Sequence, residues 1–389
     1  MKRTPRPVQL ALAERLHHLD ASAWDALTRD AGVFLQRPFL QAFEAAAPAN
    51  VSPRYALMYL GDEPVAALHL QLVRIAGRSA LSSAAPLAGM AQLVDERALV
   101  LGNLAAWGQT GLALAPGVDP ALVWREALQL VDRLRRFEKH EGVVNVALVK
   151  DAGPADDEAS LRRQGFQRAP QGPDMQLAVQ PGWRTLDDYL ASLASKRRRA
   201  VKKVFEDIAA AGYRARRLDV TDLERHETRL EALYGQVWES AEVRPLRLSG
   251  RFFVELQRRL GDDCVITGLE RDGRLDGFGV SLRSGDTSIG YYLGFDKTVA
   301  APLYLRLLVA ILEAGLAFGA TRISMGRTAE EPKARLGAEP GPSALWLKHR
   351  TPPLNWAVGA VLGSLEAPRI PAHKVFRDEQ VSQKSADGC

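Results

Sequence analysis

One succession of elements is legible twice along the 389 residues, and this repeat narrows the possible folds more than any other feature. In the first copy a helical opening with Ser22, Trp24 and Leu27 leads through a Phe-rich stretch, Phe34 to Phe43, read as a second helix after Pro38. Two strand-like runs, Tyr55–Leu60 and Val65–Ile75, follow as a hairpin across Gly61-Asp62-Glu63-Pro64. The Gly-interrupted run Ala98–Leu114 comes next. The turn Pro116 to Pro120 then opens a long helix expected over Ala121–His140. Val143–Val149 reads as a short apolar strand and Ala159–Phe166 as a helix and turn.

The second copy opens with helices expected over Thr185–Ala211 and Asp222–Ser240. A strand at Cys264–Glu270 turns at Asp272-Gly273 into Leu275–Leu282, and Ser284-Gly285-Asp286 leads on into Ser288–Phe295. Pro302 opens a helix to Phe318 that Gly319 stops, and Arg322–Met325 is the next strand. A short helix, Glu331–Leu336, and a last strand, Ala344–Lys348, complete the copy.

Hairpin strands, a central strand, a long helix and further short strands predict an α/β fold, a mixed sheet with helices on both faces. Two copies predict two tandem domains, 1–175 and 176–389. The boundary falls in Asp151–Trp183, which carries three prolines before Pro181 and several glycines.

A hydrophobic fraction of 47% with 25% charged residues excludes a wholly disordered chain. The net charge of +5, largely from arginine, suits phosphate-bearing or otherwise anionic partners. Cys264 and Cys389 make no disulfide framework and no metal-ligand spacing, which points to a reducing, cytoplasmic compartment. The N-terminal apolar run is broken by Glu14 and Arg15, so no secretory core develops. The longest apolar stretch, Trp356 to Leu365, is too short to span a bilayer and reads as a buried helix or strand, or else as an interfacial membrane contact.

The most informative segment is Ser192–Ile208, with six basic residues between Lys196 and Lys203 ahead of the first acid, Glu206. Taken as one helix, it places Leu190, Leu193, Ala200, Val201, Val204, Phe205 and Ile208 on one stripe, with Arg197 in its middle. A guanidinium directed at a core needs an anion, either a neighbouring carboxylate or a phosphate or carboxylate of substrate. Lys196, Arg199 and Lys203 share another face, as do Arg198 and Lys202, and these suit either a solvated surface or anion and nucleic-acid binding.

The run from Tyr189 through SKRRRAVKKVFEDIAAAGY resembles the FemAB-like pattern, in which a basic helix opens the second domain. Ala314 to Arg327, followed by Lys333-Ala334-Arg335-Leu336-Gly337, resembles the same family's helix ending in Gly, short strand closing in Gly, and K-x-[RK]-[FL]-G motif. Leu161–Phe166 is similar to the penultimate helix of GNAT-superfamily domains. The resemblance covers most of the second half, and the first half by element order.

It implies two tandem GNAT-like domains and a bacterial N-acyltransferase. The transferred acyl or aminoacyl group would come from a thioester such as acyl-CoA, or from aminoacyl-tRNA, and pass to an amine or hydroxyl. It further implies a small-molecule or precursor acceptor, such as a cell-wall or sugar precursor, with tRNA as a candidate partner and no permanently bound cofactor. Neither half carries the [QR]-x-x-G-x-[GA] pyrophosphate loop of single GNAT domains; Trp107 to Gly111 and Phe295 to Ala300 stand there instead.

Transfer of this kind needs a deprotonated acceptor, a polarised carbonyl and a proton for the leaving group. Tyr291, Tyr292 and Asp296 lie at or after the central strand of the second copy, and strand alternation sends the two tyrosines to opposite faces. Tyr292 is the candidate general acid, and Asp296 the base or substrate orienter. Lys333 and Arg327 are candidate contacts to substrate or donor phosphate, joined by Arg197, Arg198 and Lys202 of the basic helix. The competing expectation is a module without chemistry that binds RNA or an anionic surface through residues 195–203.

Overall fold

The computed structural model describes residues 7–76, 95–137, 142–152, 158–169, 171–363 and 374–377. The chain forms two compact units, each a mixed sheet with helices on its faces. The expected α/β architecture is present in both.

The first unit takes Met1–Gly172, Trp238–Arg259 and Pro342–Ala367. Its sheet runs β1 (Val8–Ala13), β2 (Val51–Leu60), β3 (Glu63–Ala76), β4 (Asp95–Leu101), β6 (Val146–Lys150), β15 (Leu345–His349) and β7 (Gln167–Ala169), with β5 (Leu112–Leu114) against β3. Strand β3 is buried without interruption from Val65 to Val73, the signature of a strand covered on both faces. The helix Pro120–Phe137 lays Val123, Trp124, Ala127, Val131 and Leu134 at helical spacing onto this sheet. Elsewhere in the unit, edge-to-face rings of Phe39, Phe43 and Phe252 tie the helix Arg37–Ala45 to the helix Gly250–Leu260.

The second unit takes Pro173–Val237, Leu260–Gly341 and Pro368–Cys389. Its sheet runs β14 (Glu339–Gly341), β8 (Asp174–Ala178), β13 (Arg322–Ser324), β12 (Thr287–Phe295), β11 (Arg274–Ser284), β10 (Cys264–Arg271) and β9 (Arg214–Arg217). The Asp272-Gly273 hairpin forms as expected, with both residues in the left-handed region, at φ 52° and 75°. The apolar helix Leu303–Ala317 covers the sheet, packing Leu308, Ile311 and Leu312 against Leu177 and Ile323, and Leu307 against Leu269.

Several expectations are corrected. The strand expected at Ala344–Lys348 forms as β15, but in the first unit's sheet, between β6 and β7. The stretch around Asp174, read as part of a linker, is instead β8, which lies between β13 and β14 of the second unit. Val8–Ala13 and Arg214–Arg217 are strands, and Gly250–Leu260 is a helix, none of them anticipated.

The helix expected over Thr185–Ala211 is two helices, Leu186–Ser192 and Ser195–Ala210. Thr185 and Asp188 form a capping box on the first. Leu193 and Ala194 between them are extended, because Leu193 bridges to Phe376 and the Ala194 N–H donates to the Val375 carbonyl. The expected Asp222–Ser240 helix likewise divides at His226 into Val220–Arg225 and Glu227–Trp238. His140 and Cys389 lie outside the described residues.

Candidate active site in the second unit

Strands β12 and β13 are parallel neighbours only over Thr287–Ile289 and Arg322–Ser324. The ladder with β13 ends there, while β12 runs on to Phe295. The parallel ladder therefore stops partway along β12, and the region beyond it, bounded by Gly290–Phe295 and the loop after β13, is the β12–β13 wedge.

On its other side, β12 pairs Leu293 with Gly279 and Gly290 with Ser281, so Tyr291 and Tyr292 together oppose Val280 alone. This is a β-bulge. It cancels the alternation expected for the two tyrosines: their rings touch at 4.6 Å, with Tyr291 buried and Tyr292 partly exposed. Tyr234 of the helix Glu227–Trp238 meets Tyr292 edge-on at 5.5 Å. That helix approaches so closely because β12 carries Gly294, where a Cβ would sit 2.5 Å from the Tyr234 nitrogen.

Burial, reinforced by Tyr234, raises the Tyr292 hydroxyl well above the ordinary phenol value, and the charge of Arg327 opposes the shift. Tyr292 is therefore neutral and proton-bearing at pH 7. Arg327 follows Gly326, which turns with φ 75° just beyond β13. One lip of the wedge thus supplies a phenol and the other a guanidinium within its electrostatic reach. Tyr234 completes this group, and no sequence motif pointed to it.

Asp296 belongs to a different arrangement. Its carboxylate accepts from Arg229 at 2.9 Å, Arg274 at 3.0 Å, Thr298 Oγ1 at 2.6 Å and the Thr298 N–H at 3.1 Å. Neighbouring Asp276 accepts from the same two arginines and from the Tyr213 hydroxyl. Thr298 first, then Arg229, hold the Asp296 carboxyl far below the usual carboxylate range. A carboxylate so stabilised is a poor proton acceptor, which corrects the expectation of Asp296 as a base. Its geometry fixes the turn after β12.

Asp296→Asn leaves two arginines short of a partner and is expected to lower unfolding stability by about 3 kcal/mol in urea titrations at pH 7. Because the folded carboxyl is depressed, its contribution is complete above the ordinary carboxylate pKa of about 4 and is lost as pH falls toward the depressed value. The gap between wild type and variant should therefore narrow only on the acid side.

Lys333 is buried, and its Nζ donates to the carbonyls of Gly326 at 2.9 Å, Arg327 at 2.7 Å and Thr328 at 2.7 Å. Burial lowers its pKa to about 8, against the attraction of Asp174 and Glu330. All three ammonium protons are used, so the expected substrate contact is corrected to a clamp on the loop that carries Arg327. That loop includes Thr328 at φ 62° and Ala329 at φ 48°, conformations unfavourable for residues with a Cβ.

The basic helix buries Val201, Val204 and Ile208 against the rest of the unit. Arg197 sits in its first turn, half-buried rather than in the middle of the apolar stripe, because the helix begins only at Ser195. Lys196, Arg197, Arg198, Arg199 and Lys202 have no ion-pair partner among the described residues, while Lys203 pairs with Asp207 at 2.8 Å. No hydrogen bond or ion pair joins Arg197, Arg198 or Lys202 to Tyr292, Arg327 or Lys333. Tyr292, Arg327 and Lys333 are thus linked through one loop, and Val201 of the basic helix shares a core cluster with Met325 and Ala334 beside it.

In the first unit, the corresponding parallel pair is β4 with β6, over Ala98–Leu101 and Val146–Val149. There the chain after β4 folds back on the sheet. Gly102 and Gly111 lie so close that a Cβ on Gly111 would fall 2.4 Å from the Gly102 nitrogen, and both bond to the backbone of His69. Lys150, at the end of β6, ties this loop down through the Ala106 carbonyl and pairs with buried Asp151.

Each unit is a mixed sheet holding one parallel strand pair, β4 with β6 in the first and β12 with β13 in the second, the plan of a tandem GNAT-like fold. The chain belongs to the FemAB-like family, described as peptidoglycan biosynthesis and recognition, whose model matches residues 127–335. Among solved structures, it is similar to FemX at 12% identity and TM-score 0.53, covering 88% of this chain and 99% of that one. It is also similar to the DUF2156 C-terminal domain of a candidate lysylphosphatidylglycerol synthetase from Agrobacterium fabrum, at 10% identity and TM-score 0.51, covering 90% and 99%. A tandem GNAT protein of clavulanic acid biosynthesis matches at 16% identity and TM-score 0.48, covering 89% and 99%. No curated protein sequence matches the chain. Family and fold together support a transferase. Among the described residues, no helix is long and apolar enough to cross a membrane.

Proposed function

We propose that the chain is an N-acyltransferase that moves an acyl or aminoacyl group onto an amine, or a hydroxyl, of an anionic precursor at the β12–β13 wedge. The donor is a thioester or an aminoacyl-tRNA, used as co-substrate, and the acceptor class is a cell-wall or sugar precursor. The observation that carries this reading is the Tyr291-Tyr292 bulge just beyond the end of the β12–β13 ladder, with Tyr292 in the electrostatic reach of Arg327. The folded-back loop over β4 and β6 supports placing the chemistry in the second unit rather than the first.

In this reading the donor lies along β12 beyond the end of the ladder, with its carbonyl at the bulge. The acceptor nitrogen attacks the carbonyl carbon, the new C–N bond forms, and the bond to sulfur or to the ribose oxygen breaks. Tyr292 gives its proton to the departing atom and is reprotonated by the proton that the attacking nitrogen or oxygen sheds, while Arg327 steadies the negative charge that develops. Arg197, Arg198 and Lys202 attract the anionic part of a substrate.

The test is turnover of purified protein with an amine panel and acyl thioesters, scored as free thiol, or with charged tRNA, scored as acceptor-dependent deacylation. Tyr292→Phe is expected to lower kcat by about 100-fold with little change in KM. Unaltered turnover in that variant removes Tyr292 from the chemistry. If instead neither donor class is consumed while RNA binds through residues 195–203, the chain is a binding module, a reading that the missing pyrophosphate loop favours.

A further inference from the structure

The helix Pro352–Gly363 in the first unit presents large apolar side chains to solvent. It carries no charged residue, and its one polar side chain, Asn355, faces the protein. Asn355 donates to the Gly165 carbonyl at 2.9 Å and accepts from the His349 N–H at 2.8 Å. Gly359, one turn on, sits against the Gln167 side chain, where a Cβ would approach to 2.9 Å. Asn355 and Gly359 therefore lie on the side of the helix that packs against the protein. The outer face holds Leu354, 53% exposed, and Trp356, 77% exposed, with Pro353, Ala357 and Ala360 exposed beside them.

A soluble helix normally carries polar side chains on its water-facing side; on this one the described outer residues are apolar. An apolar face with a projecting tryptophan suits the boundary between lipid headgroups and acyl chains, where an indole places its ring in the apolar layer and its N–H in the wet one. Charge favours the same medium. Arg350, just ahead of the helix, is exposed and has no ion-pair partner among the described residues, and the chain as a whole is +5.

We propose that this helix is a peripheral membrane contact that inserts Trp356 and Leu354 into the interface of an anionic bilayer. At 12 residues it lies in the interface rather than crossing it. The contact places the protein on the surface where a lipid-linked substrate would be found, and it holds whether or not the transferase reading does.

The test is co-sedimentation of the full chain with vesicles of phosphatidylcholine containing one part in three phosphatidylglycerol, and with phosphatidylcholine alone. Stronger binding to the anionic vesicles is expected. Trp356→Ala should lower the partition coefficient about tenfold, and Trp356→Phe should retain most of it. Phe137→Ala, which removes an equally exposed aromatic elsewhere, should change nothing. The proposal is overturned if neither vesicle type binds, or if binding persists in Trp356→Ala and disappears only when the cations at 196–202 are neutralised. It is equally overturned if Trp356→Ala abolishes a dimer in sedimentation velocity while leaving vesicle binding intact, which would assign the face to a second copy of the chain.

Discussion

Lys333→Met should remove at least 99% of transferase activity and lower stability by about 4 kcal/mol. Methionine has nearly the length of lysine but no donor. The carbonyls of Gly326, Arg327 and Thr328, now each held by one ammonium proton, would be left in a buried site with nothing to accept from. At roughly 1–3 kcal/mol for each unsatisfied group, the loop relaxes rather than holding its shape, and its left-handed residues Thr328 and Ala329 lose what kept them there. Arg327 then leaves its place opposite Tyr292. Urea titration measures the stability, and thiol release the activity. The variant separates a clamp from a substrate ligand through hydrogen exchange: a clamp exposes amides 326–331 in the free protein, whereas loss of a mere phosphate contact leaves them protected.

Neutralising Arg197, Arg198 and Lys202 together to glutamine should weaken binding of an anionic substrate about 100-fold at low salt while barely changing stability. None of the three has an ion-pair partner among the described residues, so the change removes no ion pair seen there. Each contributes long-range attraction that ions screen over about 10 Å at 0.1 M, so the difference from wild type should shrink as salt is added. Among single changes, Arg197→Ala should cost more than Arg199→Ala, because Arg197 is half-buried and pre-ordered while Arg199 is exposed and bonds only a carbonyl of its own helix. Isothermal titration with the acceptor at two salt concentrations reads both effects. Equal and negligible losses remove the helix from the site.

What could be read from the sequence was local. The Asp272-Gly273 hairpin, the helices opening at Pro120 and just after Pro302, and the short strands β6 and β13 each carry their cause within a few residues. The partners of strands were not legible. Nothing in Leu345–His349 says that it pairs with β6, about 200 residues earlier, or in Asp174–Ala178 that it pairs with β13. The break at Leu193-Ala194 was hidden for the same reason, since its cause lies at Val375 and Phe376.

The site divides in the same way. Tyr292, Arg327 and Lys333 were proposed from their place in the element order and from the family resemblance. Their roles came from contacts between distant elements. Asp296 looks like a free turn carboxylate until Arg229, 67 residues away, is seen to hold it. Lys333 looks like a surface lysine until three carbonyls close on it. The bulge that turns Tyr291 and Tyr292 to the same side depends on how β12 aligns with β11, which periodicity does not encode.

The central claim is that the donor carbonyl enters the wedge of the second unit. A crystal structure of the protein with a non-reacting donor analogue, a thioether of coenzyme A or an amide-linked aminoacyl-adenosine, tests it most directly. The account predicts the analogue along β12, hydrogen-bonded to backbone within Gly290–Phe295 and close to Tyr292 and Arg327. An analogue seated at β4 and β6 of the first unit, or bound away from both sheets, would contradict it.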